Sequence, residues 1–555
     1  MLCTIAVLHN SVACAAVRVP AIFGDNMVLQ CNMKVPIWGW ADAGENIQIN
    51  FMGYIFKAKA GKNGKWFLKL GSYKAGGPYE MVIKGNGQQL LFKNILIGDV
   101  WVASGQSNME FGIRNEKHGA EAIANAHDSL LHLFTVPIAT SLQPRQDIDT
   151  ANADPLVGKW VVCSPENIVY DHKPWQGFSA IGYYFAKEIR NITHGPVGII
   201  GTYKGGTPAQ TWVSIEGLQQ DPPFSTYITA HQGFVDNFRT ASSTYPQQMT
   251  DYHVALDQWN KDYGNDYTAA VKQWDADVAK AGEGPVPPHP KPIRATPPAP
   301  VPPDGGFNGP ANLYNAMLNP ILHYGIKGVI WYQGENNGDA LADAIAYKTI
   351  FARLIEDWRR QWHQGSFPFL YVQLANFRAP AKLPAEGNWP WVREGQLKAL
   401  ALPKTGMVVT TDLGEAGNIH PVNKKDVAVR LALVARRVVY GENIICSGPQ
   451  YRSMKIEGNK IRLTFDDNSP LTIGNGLMLK GEQPRELKGF GIAGADHIFY
   501  GAKAMVINNT VIVYNEQADK PIAVRYNWAD NPPGNLYNQA GLPASPFRTD
   551  NWLMP

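Results

Sequence analysis

Five short, apolar, β-rich runs lie at residues 95–102, 197–203, 326–332, 370–374 and 407–412, and segments of helical periodicity at 180–190, 347–362 and 425–438 fall between or after them. Strands that are apolar on both sides cannot sit on a sheet with one wet face, so they imply a sheet covered on both faces. Intervening helices supply that cover and the crossovers that parallel pairing needs. The expected fold class is therefore α/β. In such a sheet ligands bind outside the carboxyl ends of the strands, so the residues after each strand are where chemistry should be sought.

After the first run comes Ser104-Gly105-Gln106-Ser107-Asn108-Met109-Glu110. A strand ending in a glycine-flanked serine can lift a hydroxyl out of the sheet to meet a base. Met109 occupies the place of the second glycine in a Gly-x-Ser-x-Gly elbow, so the turn alone leaves Ser107 a candidate. After the second run, Lys204-Gly205-Gly206 offers either a tight turn or a backbone N–H free to face a carbonyl oxygen. After the third, Gln333 and Asn336 offer side-chain amides, either as loop braces or as oxyanion donors. His420 follows the last run and precedes a basic helix, where it can serve Ser107 as general base. Each of these has a structural explanation by itself; together they put a nucleophile, donors and a base at one edge.

The 555 residues exceed what one core usually serves, so roughly two to four domains are expected. Residues 17–94 alternate apolar and polar positions, as at Ile47, Ile49 and Phe51, and read as a small β-sandwich. Residues 95–444 read as the catalytic α/β domain, and 445–555 return to β signals. An insertion at 215–305 is polar and helical around 254–279, then proline-dense: ten of the 19 residues from 285 to 303 are Pro, which favours extended polyproline II. A net charge of +3 without a basic tract points away from nucleic acid. No stretch after the N-terminus reaches the roughly 18 apolar residues of a membrane span. Residues 1–16 read as a leader for export, with Cys14 a candidate for lipid anchoring. Cys31, Cys163 and Cys446 form neither a disulfide framework nor a zinc pattern.

Taken together, Phe23 to Gln30, Asp99 to Glu110, Lys204 to Trp212, Trp331 to Asn336, Ile419 to Lys424 and Phe547 to Asp550 resemble the blocks of the sialate O-acetylesterase-like branch of the SGNH (GDSL-like) serine esterases. The resemblance covers essentially the whole chain after the leader. It implies a three-layer α/β/α, flavodoxin-like SGNH-hydrolase domain with β-rich regions at both ends. It implies hydrolysis of acetyl esters on an O-acetylated glycan or sialoside, without metal or organic cofactor. Carried over by position, Ser107 is the nucleophile and His420 the base. The N–H groups of Ser107 and Gly205, with the amide of Gln333 or alternatively Asn336, form the oxyanion hole.

One position departs from the pattern. Many SGNH enzymes carry Asp three residues before the histidine; here Gly417 stands there, and Asn418, which cannot be an anion, stands next to it. Asp412 and Glu335 are the candidate acids for His420, and a Ser–His dyad is the preferred reading. The rival classes are a glycosidase using Glu110 and Glu335 and a non-catalytic glycan-binding protein. Within esterases, the rival is a xylan or other plant-polysaccharide acetylesterase.

Overall fold

The computed structural model describes residues 16–555 except 152, 173–174, 282–289, 291, 382–385, 467–468, 475–485 and 553–555. The leader and lipid-anchor readings fall on 1–15 and so lie outside the described residues, as does part of the proline-dense stretch.

At the centre is a mostly parallel sheet. Its strands are β1 (Gln88–Gly105), β2 (Asp128–Thr135), β3 (Trp160–Cys163), β4 (Val197–Tyr203), β5 (Gly328–Tyr332), β6 (Phe369–Val372) and β7 (Thr405–Val408). They lie in the order β7-β6-β5-β1-β4-β2-β3, parallel throughout except for the antiparallel edge strand β3. The main helices of this region are α1 (Ser107–Glu110), α2 (Ala180–Thr193), α3 (Leu341–Trp362), α4 (Trp389–Lys398) and α5 (Lys425–Val438). On β6, Phe369 and Tyr371 meet Phe351 of α3. Leu370, one residue out of phase, shares the other face with Gly406, which lies against Val434 of α5. Trp101 of β1 lies on that second face and meets the ring of Phe185 in α2 edge-on, at 4.9 Å. Helices therefore cover both faces, as the apolar strands require.

The strand ending at Gly105 is continuous from Gln88. Its first half pairs antiparallel with Gly76–Gly85 of the N-terminal β region, its second half parallel with β4 and β5. The division placed at 94/95 thus falls inside one strand. Ile47, Ile49, Met81 and Ile83 belong to the same continuous core as Val100 and Val102. The C-terminal β region has a core of its own, including Ile461, Leu463, Phe490 and Val524.

In the insertion, helix Ser225–Trp259 passes through a π turn, Asn260–Gly264, into helix Asn265–Ala281. It begins well before the helical pattern at 254, because its first half has no clear apolar stripe. Gln–Asp pairs four residues apart brace it instead, at 232/236, 247/251, 258/262 and 273/277. Cys31, Cys163 and Cys446 are free thiols, the first two buried. No described helix is long and apolar enough to cross a membrane.

Arg393 of α4 ties the C-terminal region to the sheet. Fully buried, it donates to the carbonyls of Leu374, Ala375, Ala529 and Asp530 at 2.6–2.9 Å. Arg393→Leu takes the side-chain donor from the buried carbonyls of Leu374, Ala375 and Ala529, while that of Asp530 keeps the Phe377 N–H, and is expected to cost about 3–5 kcal/mol. Urea denaturation reads this directly, and an unchanged midpoint would refute it.

Candidate active site

β1 delivers Ser107 to the carboxyl edge of the sheet. Gly105 takes φ +138°, and a Cβ there would lie 2.1 Å from the carbonyl oxygen of Tyr332, so only glycine lets β1 and β5 end side by side. Ser107 then opens the single turn α1, where its N–H has no partner within the helix. β4 delivers Lys204-Gly205-Gly206, β5 delivers Glu335 and Asn336, and the loop beyond β7 delivers His420. These residues line one cavity of about 350 Å³ with Gln106, Glu110, Trp175, Asp339 and Ile419.

The candidate nucleophile and the candidate base meet. Ser107 Oγ lies 2.8 Å from Nε2 of His420, and the ring of Trp175 stands edge-on to the imidazole at 4.9 Å. Burial, and after it the positive charge of Lys424, bring His420 down to about 4, against Glu110, which raises it. At neutral pH the imidazole is uncharged and can accept the serine proton.

The loop bearing His420 is braced by its own residues. Asn418 Oδ1 accepts the backbone N–H of His420 at 2.9 Å. Glu415 in turn accepts from the Asn418 amide at 3.2 Å and from the Val422 N–H at 2.8 Å. Asn418 thus shapes the loop without supplying a charge.

Three expectations need correction. Gln333 does not reach the cavity. It is fully buried, its amide N–H groups go to the Thr207 carbonyl and Asn337 Oδ1, and its Oε1 accepts from Tyr347. Asn336, three residues on, lines the cavity and donates to the Gly206 carbonyl at 3.0 Å. Asp412 is not a partner of His420 either: Arg430 holds both its oxygens, at 2.7 and 2.6 Å. Glu335 does line the cavity, but its Oε1 accepts from Asn108 at 2.5 Å, and burial pushes its carboxyl up. Among the described side chains, no carboxylate contacts the His420 ring.

Gly205 carries a surprise. Its N–H donates to Oε2 of Glu110, so the expected oxyanion donor is occupied by a buried carboxylate. A Cβ at 205 would lie 2.8 Å from that oxygen and 3.2 Å from the Ser107 Cβ, which explains the glycine. Sequence reasoning also passed over Trp175, Lys204 and Lys424 as site residues. Trp175 sits in a polar stretch without periodicity. Lys424 reads as an ordinary solvated residue before a helix, yet it is 1% exposed.

Comparison with known proteins follows the same lines. A family model described as carbohydrate esterase, sialic acid-specific acetylesterase, matches residues 306–435. A carbohydrate acetylesterase from Xanthomonas citri has a similar structure at TM-score 0.74, with 33% identity over 97% of this chain and 100% of that one. This chain belongs to that carbohydrate esterase family. The sialate O-acetylesterases of Mus musculus and Homo sapiens are 27% and 26% identical to it, over 80% and 81% of this chain and 78% and 76% of theirs. As a member of the family the enzyme is a carbohydrate O-acetylesterase, an ester hydrolase. Among its described residues no group of three or more His, Cys, Asp or Glu is arranged to hold a metal ion.

Proposed function

We propose that this enzyme removes acetyl groups from sugar hydroxyls by acyl transfer through Ser107 and His420, on a three-layer α/β/α scaffold of the SGNH type flanked by β-rich accessory regions. The 2.8 Å contact between Ser107 Oγ and the uncharged His420, at the carboxyl edge of a parallel sheet, carries this reading. His420 Nε2 takes the hydroxyl proton as Oγ attacks the acetyl carbonyl. The tetrahedral oxyanion is received by the N–H groups of Ser107 and Gly205 and the Asn336 amide, the latter two leaving Glu110 Oε2 and the Gly206 carbonyl. The imidazolium then protonates the departing sugar oxygen. Water, deprotonated by His420, releases acetate from the acetyl-serine.

An acidic sugar, a sialoside, is the proposed substrate class. Among the described residues, Lys204 is the one Lys or Arg side chain lining a cavity whose carboxylic residues are Glu110, Glu335 and Asp339, and its Nζ stands 4.9 Å over the Phe307 ring. A substrate carboxylate there would pair with it. Trp175 offers an apolar face for the sugar ring. Lys204→Met is expected to raise KM for an O-acetylated sialoside about tenfold and to leave KM for an aryl acetate unchanged. Acetate release from O-acetylated sialosides and xylo-oligosaccharides decides the class; faster turnover of the neutral xylo-oligosaccharides would favour the plant-polysaccharide reading.

A further inference from the structure

His420 lacks a described acidic partner, yet its loop is gripped from two sides. The carbonyl before it, of Ile419, accepts from the Asn108 amide at 3.0 Å. The carbonyl after it, of Pro421, accepts from Lys424 Nζ at 2.6 Å. The same Nζ donates to Asn108 Oδ1 at 2.6 Å, and the Asn108 amide also donates to Glu335 Oε1 at 2.5 Å. Asn108 and Lys424 are each 1% exposed. Two of the three ammonium protons are thus committed, while the Phe111 ring lies 4.6 Å from Nζ.

We propose that Lys424 and Asn108 form a clamp that positions His420 against Ser107, doing for this site the orienting work that an acidic residue does in a Ser-His-Asp triad. Asn108 is the residue next to the nucleophile, so the clamp links α1 to the histidine loop directly. The grip is on backbone carbonyls; the ring itself is left to Trp175 and Ser107 Oγ. Lys424 and Asn108 are therefore positioning residues.

The clamp carries a charge opposite to that of an acid, and this makes it testable. A carboxylate beside the imidazole stabilises imidazolium; an ammonium destabilises it. The charged groups acting on His420 are Lys424, which favours the neutral ring, and Glu110, which favours the charged one. Burial lowers Lys424 to about 7, opposed by Glu335, Glu415 and Glu116. In the acid range where His420 titrates, Lys424 is therefore protonated. The imidazolium formed during reaction is a strong acid toward the leaving sugar oxygen.

This inference rests on the Ser107–His420 reading and is separable from it. The full-length enzyme and its Lys424→Met and Lys424→Gln variants are compared by the pH profile of kcat/KM for an aryl acetate and by the rate at which a fluorophosphonate labels Ser107. Circular dichroism checks the fold. Lys424→Met is expected to lower kcat about 10–100-fold with little change in KM, since small misplacements of a base are costly. Its acid limb is expected to move up by about one pH unit, because the destabilising cation is gone. Lys424→Gln should recover part of kcat through its amide and keep the displaced limb. An acid limb that stays in place in either folded variant overturns the charge role, and native kcat in folded Lys424→Met overturns the clamp. If the Met variant does not fold, the Gln variant decides. Absence of Ser107 labelling in the wild-type enzyme would instead sink the mechanism itself.

Discussion

Ser107→Ala is expected to lower kcat for acetate release by at least about 10⁴-fold, from O-acetylated sugars and aryl acetates alike. The size of the loss follows from the chemistry. Without Oγ there is no acyl-enzyme, and what remains is binding and oxyanion stabilisation of a direct attack by water. The fold should be indifferent. Ser107 is 8% exposed and its hydroxyl contacts His420, so its removal deletes one hydrogen bond at a cavity wall and opens no gap in the core. Acetate assays on the purified variant, with its thermal midpoint as control, check both halves. Turnover near the wild-type rate would end the serine assignment and reopen the glycosidase reading of Glu110 and Glu335.

The second large effect concerns His420. His420→Gln should lower kcat/KM by about 10³–10⁴-fold, and it should also remove a feature of the pH profile. In the proposed mechanism the base works only when neutral. Burial, and then the charge of Lys424, put its titration near 4, with Glu110 acting the other way. Activity is therefore expected to be flat from neutral pH down to about 5 and to fall as pH drops through about 4. Stability has the same sign. Between about 4 and the ordinary value of 6.5 the unfolded chain binds a proton at this residue and the native chain does not, so stability rises with pH across that window. A wild-type acid limb near the ordinary histidine value would show that the imidazole is better solvated than its burial implies. Loss of the limb in His420→Gln, with the residual rate independent of pH there, would assign it.

Most of the central sheet was legible because each of its apolar strands is buried on both sides and cannot be mistaken for a surface strand. Two strands escaped. β3 is only four residues, Trp160–Cys163, and β2 begins with the polar pair Asp128-Ser129, so neither stands out from its flanks. The boundary at 94/95 followed a real change in patterning, from alternating to continuously apolar. That change marks where one strand passes from a one-sided sheet to a two-sided one, and the chain does not break there. In the site, Ser107 and His420 were legible from their places after strands. Gln333 and Asn336 were not distinguishable by type, since both carry an amide after β5. Which of the two faces the cavity depends on the turn at Gly334, where φ is +148°.

The sequence by itself determined the α/β class and the sheet edge on which the candidate residues Ser107 and His420 lie, because strand burial and the residues after a strand are local properties. Only the tertiary structure decided what surrounds them: that Arg430 claims Asp412, that Glu110 sits on the Gly205 N–H, and that Lys424 is buried against Asn108 behind the histidine loop. Those pairings join residues 18 to 316 positions apart in the chain. No periodicity or spacing encodes them. Those of Glu110 and Lys424 arise because a buried charge must find partners wherever folding brings them, and the partner found sets what that charge can do.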